Sequence, residues 1–123
     1  RNLNNKGIEQ SKKIGLFFSK NNIPIDKILS SEWCRCKDTA KFAFKNFKTF
    51  NALNSFFSPR FQKNKEKQML DLYKYIDNWT GKKNLILVTH YVVILETLDK
   101  AVSSGEIVIS DKNLNFIGSI VNY

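Results

Sequence analysis

The chain is poor in the residues that most often announce a function. Its 123 residues include one histidine, one methionine, two prolines and two cysteines. Cys34 and Cys36 are separated by a single residue, too close for an ordinary disulfide with each other, and there is no second pair to complete a zinc site. They are expected as small core or near-site residues. No apolar run is long enough to span a membrane, and no signal-like apolar segment stands at the amino end. Arginine is scarce too: of the 20 basic residues only three are Arg. There are no internal repeats or low-complexity linkers. The chain opens on Arg1 without an initiator Met, so an upstream part is expected, and any targeting signal would lie before Arg1, leaving periplasmic and cytoplasmic locations both open.

What is present suits one small domain. The 42% hydrophobic content is enough for a single core. The net charge of +9 would ordinarily suggest nucleic acid, acidic membrane surfaces or phosphorylated small molecules as partners. Here the excess is Lys accompanied by 14 Asn, a mixture that an A+T-rich genome produces without selection for binding. The aromatics are mostly Phe at helix or strand positions and are not interleaved with Arg for base stacking. No nucleic-acid partner and no membrane insertion are expected.

One stretch organises the rest. Asn84-Leu85-Ile86-Leu87-Val88-Thr89-His90 is an apolar run that ends abruptly on a polar pair. Leu85 to Val88 show no alternation, the pattern of a strand covered on both faces, as in a parallel sheet. Such sheets bind ligands at the carboxyl ends of their strands. Val92 to Val102 read as a helix, so His90 is expected beside a helix amino terminus, where anions are favoured. The plainer alternative is a satisfied histidine at a strand end.

Upstream, Asn4 reads as the N-cap of a helix to about Lys20, with Ile8, Ser11, Ile14, Gly15 and Phe18 on one face. Asn21-Asn22-Ile23-Pro24 stops it, and Lys27 to Ser30 reads as a short strand. A second helix is predicted from Cys34 to Asn46, with a stripe of Cys36, Ala40, Ala43 and Phe47. Lys48 to Asn51 is a candidate strand and residues 53–59 a loop. Met69, Leu72, Tyr73 and Ile76 mark an amphipathic helix from Phe61 to Trp79, ended by Gly81. After the turn Ser103-Ser104-Gly105, Glu106 to Ser110 and Leu114 to Val121 predict an antiparallel hairpin at one edge of the sheet. The expected class is a three-layer α/β/α sandwich with a mostly parallel sheet.

The segment from Ser30 to Ala40 runs from a strand end into a helix, which puts Arg35 in the first turn. A guanidinium there offers a planar fork of donors to phosphate oxygens, beside the N–H groups of the helix start. An Arg at such a position is, taken alone, more often a solvated charge. Paired with His90 at another strand end it becomes an oxyanion clamp.

At these residues the chain resembles the histidine phosphatase superfamily, of phosphoglycerate mutase-like fold, and the resemblance spans nearly the whole sequence. Leu3-Asn4-Asn5-Lys6-Gly7 with Glu9-Gln10 is similar to the family's Leu-Thr-x-x-Gly-x-x-Gln segment. Ser30-Ser31 with Arg35 and Thr39-Ala40 is similar to its Ser-Ser-x-x-x-Arg-x-x-x-Thr-Ala segment, and Val88-Thr89-His90 to the strand ending in its second histidine. The Trp33-Cys34-Arg35-Cys36 and Leu53-Asn54-Ser55-Phe56-Phe57 words resemble a bacterial subgroup whose members often carry an export signal. The resemblance implies phosphoryl transfer through a phosphohistidine, on a phosphomonoester or a phosphoprotein, with Arg35 and His90 supplying two of the four phosphate-pocket groups and no cofactor or metal. The family's nucleophile lies in an Arg-His motif on its first strand, and that motif is absent here, so the first strand is expected before Arg1 and the chain as written is expected to be inactive. The family's acid has no clear match: Asn54-Ser55 stand where it belongs, and Glu32 is the nearest carboxylate, better suited to favouring a helix start. The rival reading is a non-catalytic phosphate-binding or protein-interaction domain.

Overall fold

The computed structural model describes residues 2–123. Helix α1 (Asn5–Lys20) starts where Asn4, in extended conformation, accepts the Gly7 N–H at 2.9 Å, satisfying one of the donors that a helix start leaves open. Asn22 turns to a left-handed φ of 51° after it. Strand β1 (Ile25–Ser30) and helix α2 (Cys34–Phe44) follow. Helix α2 ends short of Asn46 because Lys45 adopts a φ of 73°, so Phe47 lies beyond the helix whose stripe it was expected to join. Strand β2 is only Lys48–Thr49.

Residues 53–59, expected as a loop, contribute to the core. A 3-10 turn, Asn51–Leu53, leaves Ala52 and Leu53 with no exposed surface and is followed by buried Phe56. A second 3-10 turn, Pro59–Asn64, opens on proline and delays helix α3 to Lys65–Asn78. Proline's fixed φ and missing N–H suit that first position. Met69, Leu72 and Ile76 are buried as their spacing predicts, whereas Tyr73 is exposed. Strand β3 is Asn84–Val88. Helix α4 is Tyr91–Leu98 and does not reach Val102, because Asp99 takes the left-handed conformation that ends helices. Strands β4 (Ile107–Ser110) and β5 (Phe116–Ile120) complete the chain.

The three-stranded sheet has the order β2-β1-β3, all parallel. Leu29 pairs with Leu87 and Ser30 with Val88, so β1 and β3 end side by side. One helical layer is formed by α1 packed on α2, with α2 lying against β1 and β3. The other holds the main core, in which Leu29 and Val93 meet Ala52, Leu53, Phe56, Met69, Leu72 and Ile76. Burying each such large side chain contributes roughly 1.5–3 kcal/mol. At Gly15 a side chain would overlap the carbonyl oxygen of Ala43 on α2. The glycine therefore costs helix propensity but sets the spacing between the two helices.

The hairpin departs from expectation in one respect. Strands β4 and β5 pair antiparallel as predicted, but they form a sheet of their own, and among the described residues β3 has a ladder partner on one edge only. Leu85 to Val88 are accordingly half-buried, not covered on both faces. The hairpin is held at its tip by Leu114, which packs on the main core. At its base, Gln10 on α1 donates to the Ser104 carbonyl at 3.3 Å, and the Tyr123 hydroxyl donates to Gly105 at 2.7 Å.

Candidate active site

The parallel register decides where chemistry collects. Because Ser30 and Val88 are partners, the residues that follow them, Ser31 and Thr89-His90, leave the sheet together at its carboxyl edge. The Ser31 N–H donates to the Val88 carbonyl at 3.0 Å, which extends the ladder one step. His90 is the N-cap residue of α4 but makes no side-chain capping bond. Its imidazole turns toward the first strand, with Nε2 2.9 Å from the Ser31 hydroxyl. Trp33 packs edge-on against the ring, with centroids 4.9 Å apart, and Phe61 packs edge-on against Trp33 at 5.7 Å.

Arg35 is the second residue of α2, exposed to solvent, with its carbonyl accepting the Thr39 hydroxyl at 3.0 Å. Its charge acts on the histidine. The pKa of His90 is lowered from 6.5 to about 4, first by burial and then by the Arg35 guanidinium. The imidazole is therefore neutral near pH 7. His90 follows the end of β3, and Arg35 lies in the first turn of the helix that follows the end of the neighbouring strand β1.

Further residues surround them. Cys36 is buried, with Sγ 3.5 Å from His90 Nε2, and its thiol is pushed up to about 11, chiefly by burial. It is packing beside the site, not a nucleophile, since nucleophilic cysteines have depressed pKa values. Cys34 is exposed, and both thiols are free. Asn54 sits between Ser31 and Glu32: its Oδ1 accepts the Ser31 hydroxyl at 3.0 Å and the Glu32 N–H at 2.8 Å, while its Nδ2 donates to the Glu32 carboxylate at 2.9 Å. Glu32 is exposed and is bound sideways to this amide, two residues ahead of α2. Gln68 on α3 donates to the Asn54 carbonyl at 2.8 Å, and Thr89 donates to the Leu53 carbonyl at 2.6 Å, so the loop is tied to both neighbours. Ser31 was visible in the sequence only as part of a motif, and Asn54 only as a residue where an acid was wanted.

A groove of about 640 Å³ lies between Asp26, Phe50, Tyr75 and Trp79. Asp26 is at the start of β1, so this groove is at the opposite end of the sheet from His90. Both carboxylates in its lining are already engaged, Asp26 by the Trp79 indole N–H at 3.0 Å and Asp71 by the Lys67 ammonium at 2.7 Å. The reactive side chains, not this groove, mark the candidate site. Among the described residues, no group of three His, Cys, Asp or Glu side chains is placed to hold a metal ion, and no helix is long and apolar enough to cross a membrane.

No family model matches the sequence, and no curated protein matches it. Solved structures do. The protein TTHB049 from Thermus thermophilus superposes with a TM-score of 0.69 at 16% identity, over 98% of this chain and 85% of that one. A phosphoglycerate mutase from the same organism gives 0.63 at 16% identity, over 99% and 85%. The Rv3214 product of Mycobacterium tuberculosis gives 0.57 at 14% identity, over 85% and 70%. At these identities the likeness is one of fold, and the chain has the α/β fold that these proteins, a phosphoglycerate mutase among them, share.

Proposed function

We propose that the chain is the larger part of a histidine phosphatase domain that transfers a phosphoryl group from a phosphomonoester or phosphorylated side chain through a phosphohistidine. The observation that carries this reading is the meeting of His90 and Ser31 at the carboxyl ends of two adjacent parallel strands, with Arg35 in the first turn of the helix that follows one of them. A guanidinium at such an edge suits the charged oxygens of a phosphoryl group in transfer, and an imidazole beside it can exchange a proton with them. In this reading Arg35 and His90 hold the phosphate, and the attacking imidazole is a second histidine. The one histidine of the 123 residues is already engaged with Ser31. The nucleophile then comes from a preceding Arg-His strand, and the edge of β3 that has no ladder partner among the described residues is a place for such a strand. Attack forms the N–P bond and expels the substrate's alcohol, and water then releases phosphate.

The test is release of phosphate from an aryl phosphate, with acid-labile phosphoryl labelling, by the 123-residue chain and by a form extended through its native upstream coding sequence. The extended form turns over and the short one does not. Arg35→Ala lowers the extended form's rate by roughly 10²–10³, the usual loss for one donor to a developing charge. Arg35→Lys recovers part of that, since an ammonium keeps charge without the two-pronged geometry. Equal activity in both lengths would make His90 the nucleophile. An extended form that binds phosphate without turnover would favour a non-catalytic phosphate-binding domain.

A further inference from the structure

We propose that Asn54 is a positioning residue that acts through Ser31 to hold His90 in the tautomer protonated on Nε2. The hydrogen-bond inventory forces the assignment from one end. The backbone N–H of Glu32 can only donate, so the Asn54 atom 2.8 Å from it is the amide oxygen, and the nitrogen is the atom facing the Glu32 carboxylate. An amide oxygen can only accept. The Ser31 hydroxyl, 3.0 Å from that oxygen, must therefore spend its single proton there. One of its two lone pairs takes the Trp33 N–H at 3.1 Å. The last is left for His90 Nε2 at 2.9 Å, which has to bring a proton of its own. No other distribution satisfies all four contacts, and the Cys36 thiol, 3.5 Å from Nε2, fits it by accepting a share of the same ring proton. Nδ1 is then the nitrogen with the lone pair.

The consequence for phosphate rests on the reading of His90 as a phosphate-pocket residue. A neutral imidazole with its one N–H committed to Ser31 meets a phosphate with an acceptor. The pair is favourable only when the complex carries one added proton, either on a phosphate oxygen facing Nδ1 or on Nδ1 itself. Asn54 is therefore what makes this histidine a proton acceptor toward the ligand and not a ready-made donor, although it touches neither the ring nor the phosphate.

The single histidine makes the test direct, because the imidazole ¹⁵N spectrum of the 123-residue chain contains one residue. At pH 7, Nε2 should show the shift of a protonated ring nitrogen and Nδ1 that of an unprotonated one. Asn54→Leu frees the Ser31 proton to turn toward the ring, so the two shifts move toward each other or exchange. Asn54→Asp keeps an acceptor for both Ser31 and the Glu32 N–H and restores the native pattern. Should Asn54→Leu lose the native amide spectrum, Ser31→Ala, which removes the acceptor itself, carries the same comparison. A native chain protonated on Nδ1, or a folded Asn54→Leu with unchanged imidazole shifts, overturns the proposal. The readout involves no phosphate and no turnover, so its failure leaves the phosphatase reading standing, and an inactive extended enzyme leaves the tautomer standing.

Discussion

The Thr89 hydroxyl lies 2.6 Å from the carbonyl oxygen of Leu53, a residue with no exposed surface, and through that bond the end of β3 holds the loop that carries Asn54. Thr89→Val keeps the shape and removes the donor. The Leu53 carbonyl is then left short of its partner inside the core, which costs about 1–3 kcal/mol. Urea unfolding of the two proteins measures it. An unchanged midpoint would show that the Thr89 bond adds nothing to the ties made by Gln68 and by the Asn54 amide.

Gly15 is placed by packing. Gly15→Ala gains up to about 1 kcal/mol of helix propensity, but the new methyl meets the Ala43 carbonyl oxygen and the helices must part. Overpacking of this kind costs about 1–3 kcal/mol, so the variant is less stable overall. Gly118→Ala, where no atom lies within 4 Å of the added carbon, is the matched control and unfolds no earlier than the native chain. Greater stability in Gly15→Ala would mean that the helices separate at no cost.

Acid should weaken the fold through His90. Its pKa falls from 6.5 to about 4, by burial first and the Arg35 charge second, so between those values the unfolded chain binds a proton that the folded chain does not. Stability is then full above about pH 6.5 and declines as pH drops toward 4. Unfolding midpoints recorded across that window for the native chain and for His90→Gln check this. The native curve should be the steeper, and parallel curves would mean that the imidazole is solvated.

The two cysteines should separate kinetically. Burial raises Cys36 from 9.0 to about 11 while Cys34 is exposed. A thiol reagent at pH 8 therefore modifies one equivalent quickly and the second only in denaturant. Two fast equivalents would place Cys36 at the surface.

Elements with a strong period were legible in advance, and those ended by a single dihedral were not. The spacing of Met69, Leu72 and Ile76 placed α3, and Asn4 placed the start of α1, because burial and capping are local consequences of residue type. The early ends of α2 and α4 depend on Lys45 and Asp99 taking positive φ, conformations neither residue type demands. Leu53 looked like the start of a polar loop because Asn, Ser and Pro follow it. Only the tertiary position of α3 shows it as core. The places of Arg35 at a helix start and of His90 at a strand end were legible from the apolar pattern, but the amide linking Ser31 to Glu32 was not. An Asn in a loop has no signature until its partners are fixed in space.

The open flank of β3 gives the chain a colloidal character. Paired with β1 on one side, β3 has no ladder partner on the other among the described residues, and such an edge presents a row of backbone donors and acceptors to any other extended chain, while the hairpin adds exposed Phe116, Ile117 and Val121. Lys82 and Lys83 stand directly before the strand, within a chain of net charge +9, and like-charged copies repel. That repulsion reaches roughly 30 Å at 0.01 M salt and about 8 Å at physiological strength. The same surface is thus dispersed in dilute buffer and adhesive in brine, with ionic strength setting the balance.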